Sequence, residues 1–142
     1  MFDTLPAQIF AAVGLLICGF AFVKGGPAER TFAGVYVLSW LATLVLQTQT
    51  SREVFPWALF AVDCVMLVIY AGLSWKYRVA WPVWATALQA LAVVSHIMNL
   101  FVVGPSSTAF FTVLNITAYG ILVALAVGTF WAWQERRAAG LE

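Results

Sequence analysis

Charge is what this chain has least of: Asp, Glu, Lys and Arg make up only 9% of its 142 residues. A soluble domain carries about a quarter, so these side chains cannot supply a water-facing surface of ordinary size. Histidine occurs once, at His96, and cysteine twice, at Cys18 and Cys64. One imidazole and two thiols leave a metal site short of ligands, so we expect neither a metal nor any other cofactor. The net charge of +1, without a clustered Lys and Arg face, excludes nucleic-acid binding by phosphate neutralisation. The motifs G-x-S-x-G and H-E-x-x-H, a P-loop and a glycine-rich dinucleotide turn are all missing, and with them the usual signatures of an enzyme.

Apolar length is what the chain has instead. Hydrophobic residues make up 63% of it, with a mean hydropathy of +0.94. A bilayer crossing needs about 20 predominantly apolar residues, and the runs near 5–23, 31–47, 57–75, 79–104 and 108–133 approach or exceed that. The expectation is an all-α protein, a single bundle of five transmembrane helices filling residues 1–142 and multi-pass in the lipid bilayer. Lys24, Arg30, Lys76, Arg78, Arg136 and Arg137 fall on one side of those spans, and only Arg52, offset by Glu53, on the other. The positive-inside rule then places the N-terminus outside and the C-terminus in the cytoplasm. Trp75, Tyr77, Trp81, Trp84, Trp131 and Trp133 cluster at the cytoplasmic ends, and Trp57 at the outer end, as an aromatic belt would. Trp40, in the middle of span two, needs a protein partner for its indole N–H. No Lys or Arg precedes the first run, so it reads as a span and not as a signal peptide.

Turn or breaker clusters at 24–27, 47–56, 76–78 and 104–107 separate the runs. Connections this short make successive helices antiparallel neighbours. Counted from the outer face, Cys18 lies about 20 Å deep and Cys64 about 10 Å, whereas a disulfide needs Cα atoms within about 7 Å, so two free thiols are expected. Small residues mark packing faces in lipid, where close backbone approach drives association. Span five carries Gly120, Ala124, Gly128 and Ala132 at four-residue steps, and span one carries Ala7, Ala11, Gly14, Cys18, Ala21 and Gly25. The partner of each stripe is either this chain, a second copy in a homo-oligomer, or another subunit of a larger membrane complex.

Polar residues form a column inside the spans. Asp63 is the only acidic residue within a run and lies about 9 Å from the outer boundary; His96 lies about 12 Å from it. An ionisable group at that depth is costly, and is by default a functional hypothesis. Ala85, Gln89, Ala92, His96 and Asn99 share a stripe on span four, Asp63, Tyr70 and Ser74 one on span three, and Tyr36, Ser39, Thr43 and Gln47 one on span two. Asn115 and Tyr119 add a pair on span five. Two layers follow: an outer one of Asp63, His96, Asn99, Asn115 and Thr43, and a deeper one of Tyr70, Gln89, Tyr119 and Tyr36. The bland alternative is a satisfied network that only fixes helix register. Ser95 points about 100° from His96 on a helix, which argues against a catalytic triad.

The segment Trp81-Pro82-Val83-Trp84, with Gln89 and Ser95-His96 after it, and the ending Gly128-Thr129-Phe130-Trp131 with 134–137, resemble small polytopic bacterial inner-membrane proteins over the C-terminal half. That resemblance implies a bacterial inner membrane and carries no activity. The W-x-P-P-G-W pattern of the five-span tryptophan-rich sensory proteins is not present. Three functions are in contention: a small transport or ion/proton-conducting protein using the layer at Asp63 and His96, a non-catalytic subunit or assembly factor of a larger complex, and an intramembrane enzyme. A water-filled crevice reaching Asp63 would favour the first, and a closed network with an occupied small-residue face the second.

Overall fold

The structure, a computed structural model, describes residues 5–49, 55–101 and 107–140. It is all-α, with helices α1 (Leu5–Lys24), α2 (Pro27–Gln49), α3 (Phe55–Tyr77), α4 (Trp81–Phe101) and α5 (Ser107–Ala138). Local chemistry sets the boundaries. Gly25 donates its N–H to Ala21 at 2.8 Å, and a Cβ there would lie 2.2 Å from that same carbonyl and 2.6 Å from Glu29 Cβ. Only glycine fits so tight a turn. Pro27 then opens α2, where the missing N–H costs little, and Glu29 reaches back to accept the Gly26 N–H at 2.9 Å, the reciprocal half of a capping box. At the far end of α3, Arg78 takes the left-handed conformation, φ 52°. Its N–H donates to the Ser74 carbonyl at 3.1 Å, which ends the helix.

Each helix packs against the next in sequence and α5 returns to α1, so the helices close a ring; α2 also reaches α5. The outside of the ring is apolar. Leu16, Leu38, Val68, Val83 and Val123 are exposed there, whereas the buried polar side chains include Gln89, His96, Thr117 and Thr129. A soluble protein does not leave so much contiguous apolar surface uncovered. Among the described residues, three helices, Pro56–Tyr77, Trp81–Phe101 and Ala109–Ala138, are long and apolar enough to cross a membrane, and Gln8–Lys24 is a shorter apolar helix.

The end carrying Lys24, Arg30 and Arg136 is packed shut. Phe32 stacks on Tyr70 with centroids 3.9 Å apart and meets Trp81 edge-on at 4.8 Å. Trp81 in turn covers Gly128, where an added Cβ would lie 2.5 Å from the indole. This corrects the aromatic-belt reading of Trp81, which is buried and donates its indole N–H to Glu29 Oε1 at 2.9 Å. The physical reason is that Glu29, itself buried, offers an acceptor inside the bundle. Trp75, Trp84 and Trp131 do lie exposed. Span boundaries shift as well. The second helix starts at Pro27 and not near 31, because its first turn includes Glu29 and Arg30, which lower the hydropathy without breaking the helix. The fourth helix begins at Trp81, and residues 102–106, the end of the run expected to reach 104, lie outside the described residues.

Candidate functional site

The ring opens toward the end opposite Trp81. A cavity of about 300 Å³ lies there, with walls from all five helices: Phe10 from α1, Tyr36, Ser39 and Thr43 from α2, Asp63 and Tyr70 from α3, Gln89 and His96 from α4, and Asn115 from α5. A volume of this order suits a small ligand.

Asp63 is its chemical centre. His96 Nε2 donates to Asp63 Oδ2 at 2.7 Å, and Gln89 Nε2 donates to Asp63 Oδ1 at 2.8 Å and to the Asp63 carbonyl at 3.2 Å. Helical spacing produces this. Ala85, Gln89, Ala92 and His96 form the buried stripe of α4, and the short connection from Tyr77 to Trp81 folds that stripe back onto α3. The His96 side chain is 2% exposed and the Asp63 side chain 26%, so the imidazole is sealed while the carboxylate meets the cavity. Phe110 packs edge-on against the imidazole at 5.1 Å. With Nε2–H given to Asp63, Nδ1 remains buried without a hydrogen-bond partner among the described residues, as does the Tyr70 hydroxyl. A hydrogen-bonded carboxylate and imidazole can share and relay a proton, and the carboxylate is the member of the pair that a polar group in the cavity can reach.

The remaining sequence-derived residues divide. Tyr36, Thr43 and Asn115 line the cavity, with the Thr43 hydroxyl donating to the Ser39 carbonyl at 3.0 Å. Asn99 does not line it: the side chain is exposed, which corrects its place in the outer layer. A three-residue step turns a helix by about 300°, which leaves Asn99 about 60° from His96, past the buried arc. Tyr119 meets Phe10, a lining residue, edge-on at 4.7 Å and stays within electrostatic reach of Tyr36, but is not itself among the residues lining the cavity. Ser95 donates its hydroxyl to Leu91 at 2.8 Å and has no contact with the pair. Among the described residues, no three of His, Cys, Asp and Glu are grouped as a metal site would need.

The small-residue stripes face inward. Gly120 lies under Leu88 and Gly128 under Trp81, both of α4; Ala124 packs against the core. On α1, Gly14 is buried and approaches Leu122 of α5, and Ala11 lies along the seam with α2. Cys18 and Cys64 are free thiols. Missing from the sequence reading altogether was the Glu29 and Trp81 pair. Its signal was available as Gly26-Pro27-Ala28-Glu29, a capping pattern that turns the carboxylate back over the helix start. No protein family, curated protein or solved structure matches this chain.

Proposed function

We propose that this is a five-span protein of a bacterial inner membrane, N-terminus outside and C-terminus cytoplasmic, that binds and moves a proton or a small polar solute through the layer at Asp63 and His96. The observation that carries the reading is the cavity, which brings open space to a carboxylate already paired with a buried imidazole. A network serving only to fix register would be expected to close on itself. The Tyr70 hydroxyl and His96 Nδ1 instead remain unpartnered within the bundle. The orientation is supported by the basic residues Lys24, Arg30, Lys76, Arg78, Arg136 and Arg137, which belong to one end.

The alternative is a non-catalytic subunit of a larger complex. It needs the small-residue faces of α1 and α5 as docking surfaces, but Gly14, Cys18, Ala21, Gly120 and Gly128 are turned toward this chain's own helices.

The test is water access. In a chain with Cys18 and Cys64 replaced by alanine, Thr43→Cys should react with a charged, membrane-impermeant methanethiosulfonate added from the periplasm, and Ala138→Cys only with reagent added from the cytoplasm. Protection of Thr43→Cys from both sides would refute the open layer. Labelling of Ala138→Cys from the periplasm would refute the orientation.

A further inference from the structure

A second hollow adjoins the same cavity from the side. Between α2 and α3 runs an external groove of about 390 Å³ lined by Leu38, Ala42, Ala61, Val65 and Ile69, with no charged residue in its walls. Ser39, Val62 and Met66 line both this groove and the polar cavity. Ala42 and Ala61 are exposed and small, so the gap between the helices at this level is flanked by methyl groups. Three features then adjoin: an apolar groove on the outside of the ring, a partition formed by Ser39, Val62 and Met66, and a polar chamber holding Asp63, His96 and Tyr70.

We propose that these adjoining hollows bind an amphiphile from the lipid phase, its polar head in the cavity and its single apolar tail in the groove between α2 and α3. The inference rests on the cavity being a ligand site, as argued above, and adds the class of ligand. Charge selects among heads. The cavity walls contain Asp63 and His96 but no Lys or Arg, so an anionic head finds no countercharge. A cationic head meets a single carboxylate whose charge the His96 and Gln89 donors already partly offset. A neutral head meets neither penalty. The polar groups lining the cavity, the Asp63 carboxylate and the side chains of Ser39, Thr43 and Asn115 among them, suit a head that both accepts and donates hydrogen bonds. Aromatic walls from Tyr36, Trp40 and Phe111 favour a flat ring. A neutral ring bearing carbonyl or hydroxyl groups on an apolar chain, the chemistry of membrane quinones and quinols, satisfies all of these conditions.

The experiment uses the full chain in phosphatidylcholine nanodiscs, with Thr43→Cys as reporter in the background lacking Cys18 and Cys64. Three probes are compared at equal mole fraction in the bilayer: a decyl-tailed dimethoxymethylbenzoquinone, whose ring carries no hydrogen for a thiol to displace, decanoate and dodecylamine. The same ring carrying a methyl group in place of the decyl chain is added from water. At ten times its midpoint concentration the decyl quinone should slow labelling of Thr43→Cys about tenfold, as expected when only the unoccupied form reacts. Asn115→Leu, at a cavity-lining position, should raise that midpoint. Ala61→Phe, at an exposed position that folding does not test, should abolish protection by the decyl quinone and leave labelling without ligand unchanged. Equal protection by decanoate or dodecylamine would overturn the head assignment. Equal midpoints for the methyl and decyl rings, or full protection in Ala61→Phe, would overturn the lateral path. These outcomes differ from failure of the water-access reading, in which Thr43→Cys would not label even without ligand.

Discussion

Replacing Gly128 by alanine probes the closed end of the bundle with a single methyl group. The new Cβ would lie 2.5 Å from Cγ, Cδ1 and Nε1 of Trp81, so either the indole or the helix must move. The indole is poorly placed to do so. Trp81 is buried, its N–H is donated to Glu29 Oε1 at 2.9 Å, and its ring is wedged against Phe32 at 4.8 Å. Separating α4 from α5 is ordinary overpacking and costs about 1–3 kcal/mol. Rotating the indole instead gives up a hydrogen bond to a buried acidic side chain, about 1.5–3 kcal/mol. These responses are alternatives and do not add, so the cheaper one sets the loss at about 2 kcal/mol. Gly120→Ala is the control. Its Cβ would meet Leu88 Cδ1 at 2.7 Å, but that atom ends a side chain able to change rotamer, so the cost is about 1 kcal/mol or less.

Reversible unfolding of both variants in mixed micelles, titrated with dodecyl sulfate and followed by far-UV circular dichroism, gives the two losses. Repeating Gly128→Ala in a Trp81→Phe background completes a double-mutant cycle. Phenylalanine lacks the pyrrole edge that the new methyl meets, so the alanine should cost about 1 kcal/mol less there. If Gly128→Ala costs no more than Gly120→Ala, or costs the same in both backgrounds, Trp81 is not the seal that the geometry describes.

Asp63→Asn and His96→Gln, singly and together, should reveal a coupling of about 0.6–1.7 kcal/mol in bilayer unfolding, the range of interhelical hydrogen bonds in lipid; additive losses would mean that the 2.7 Å contact contributes nothing. Cys18 and Cys64, both free, should form no intramolecular disulfide under copper phenanthroline, and a shifted band on a non-reducing gel that dithiothreitol reverses at low protein concentration would contradict the depth argument.

Helix number was legible because each apolar run is bounded by a breaker that acts locally: Gly25 and Gly26 before Pro27, and the 76–78 turn before Trp81. Helix ends were less legible. Hydropathy reports the lipid-facing composition of a segment, whereas helix starts are set by capping, so Glu29 and Arg30 looked like loop although they form the first turn of α2. The polar layer was partly readable. Depth can be counted along a helix at about 1.5 Å per residue, and that count put Asp63 and His96 within about 3 Å of one another. Helical phase is harder. Small angular errors accumulate, and the neighbouring helix decides which edge of a stripe is covered, which is how Asn99 came to be exposed and Tyr119 to sit on Phe10. Trp81 was misread for a different reason. An aromatic near a span end satisfies the belt pattern wherever its ring points, and only the buried acceptor on α2 distinguishes the two cases.

The two ends of the bundle differ in a way that restricts mechanism. Tyr36, Tyr70 and Gln89 line the cavity, and next toward the basic end comes the stack of Tyr70, Phe32 and Trp81 over Gly128. Hydroxyls near that barrier do not extend the polar path. Thr129 donates to Leu125 at 2.7 Å within α5, and on α3 and α4 Ser74 donates to Tyr70 and Thr86 to Pro82, both at 2.8 Å, with the two hydroxyls 2.9 Å apart. Among the described residues, the side-chain hydrogen bonds of Asp63 end at Gln89 and His96 and do not run on to Ser74, Thr86 or Glu29. Passage across the whole bundle requires the Trp81 indole to leave Gly128, which in turn breaks the bond to Glu29. Binding at Asp63 requires nothing of the kind. If the protein transports, the gate is the indole; if it only binds, the gate stays shut and the site exchanges with the outer face or with lipid. Gly128→Ala, which presses on that indole, should then alter transport far more than occupancy of the cavity.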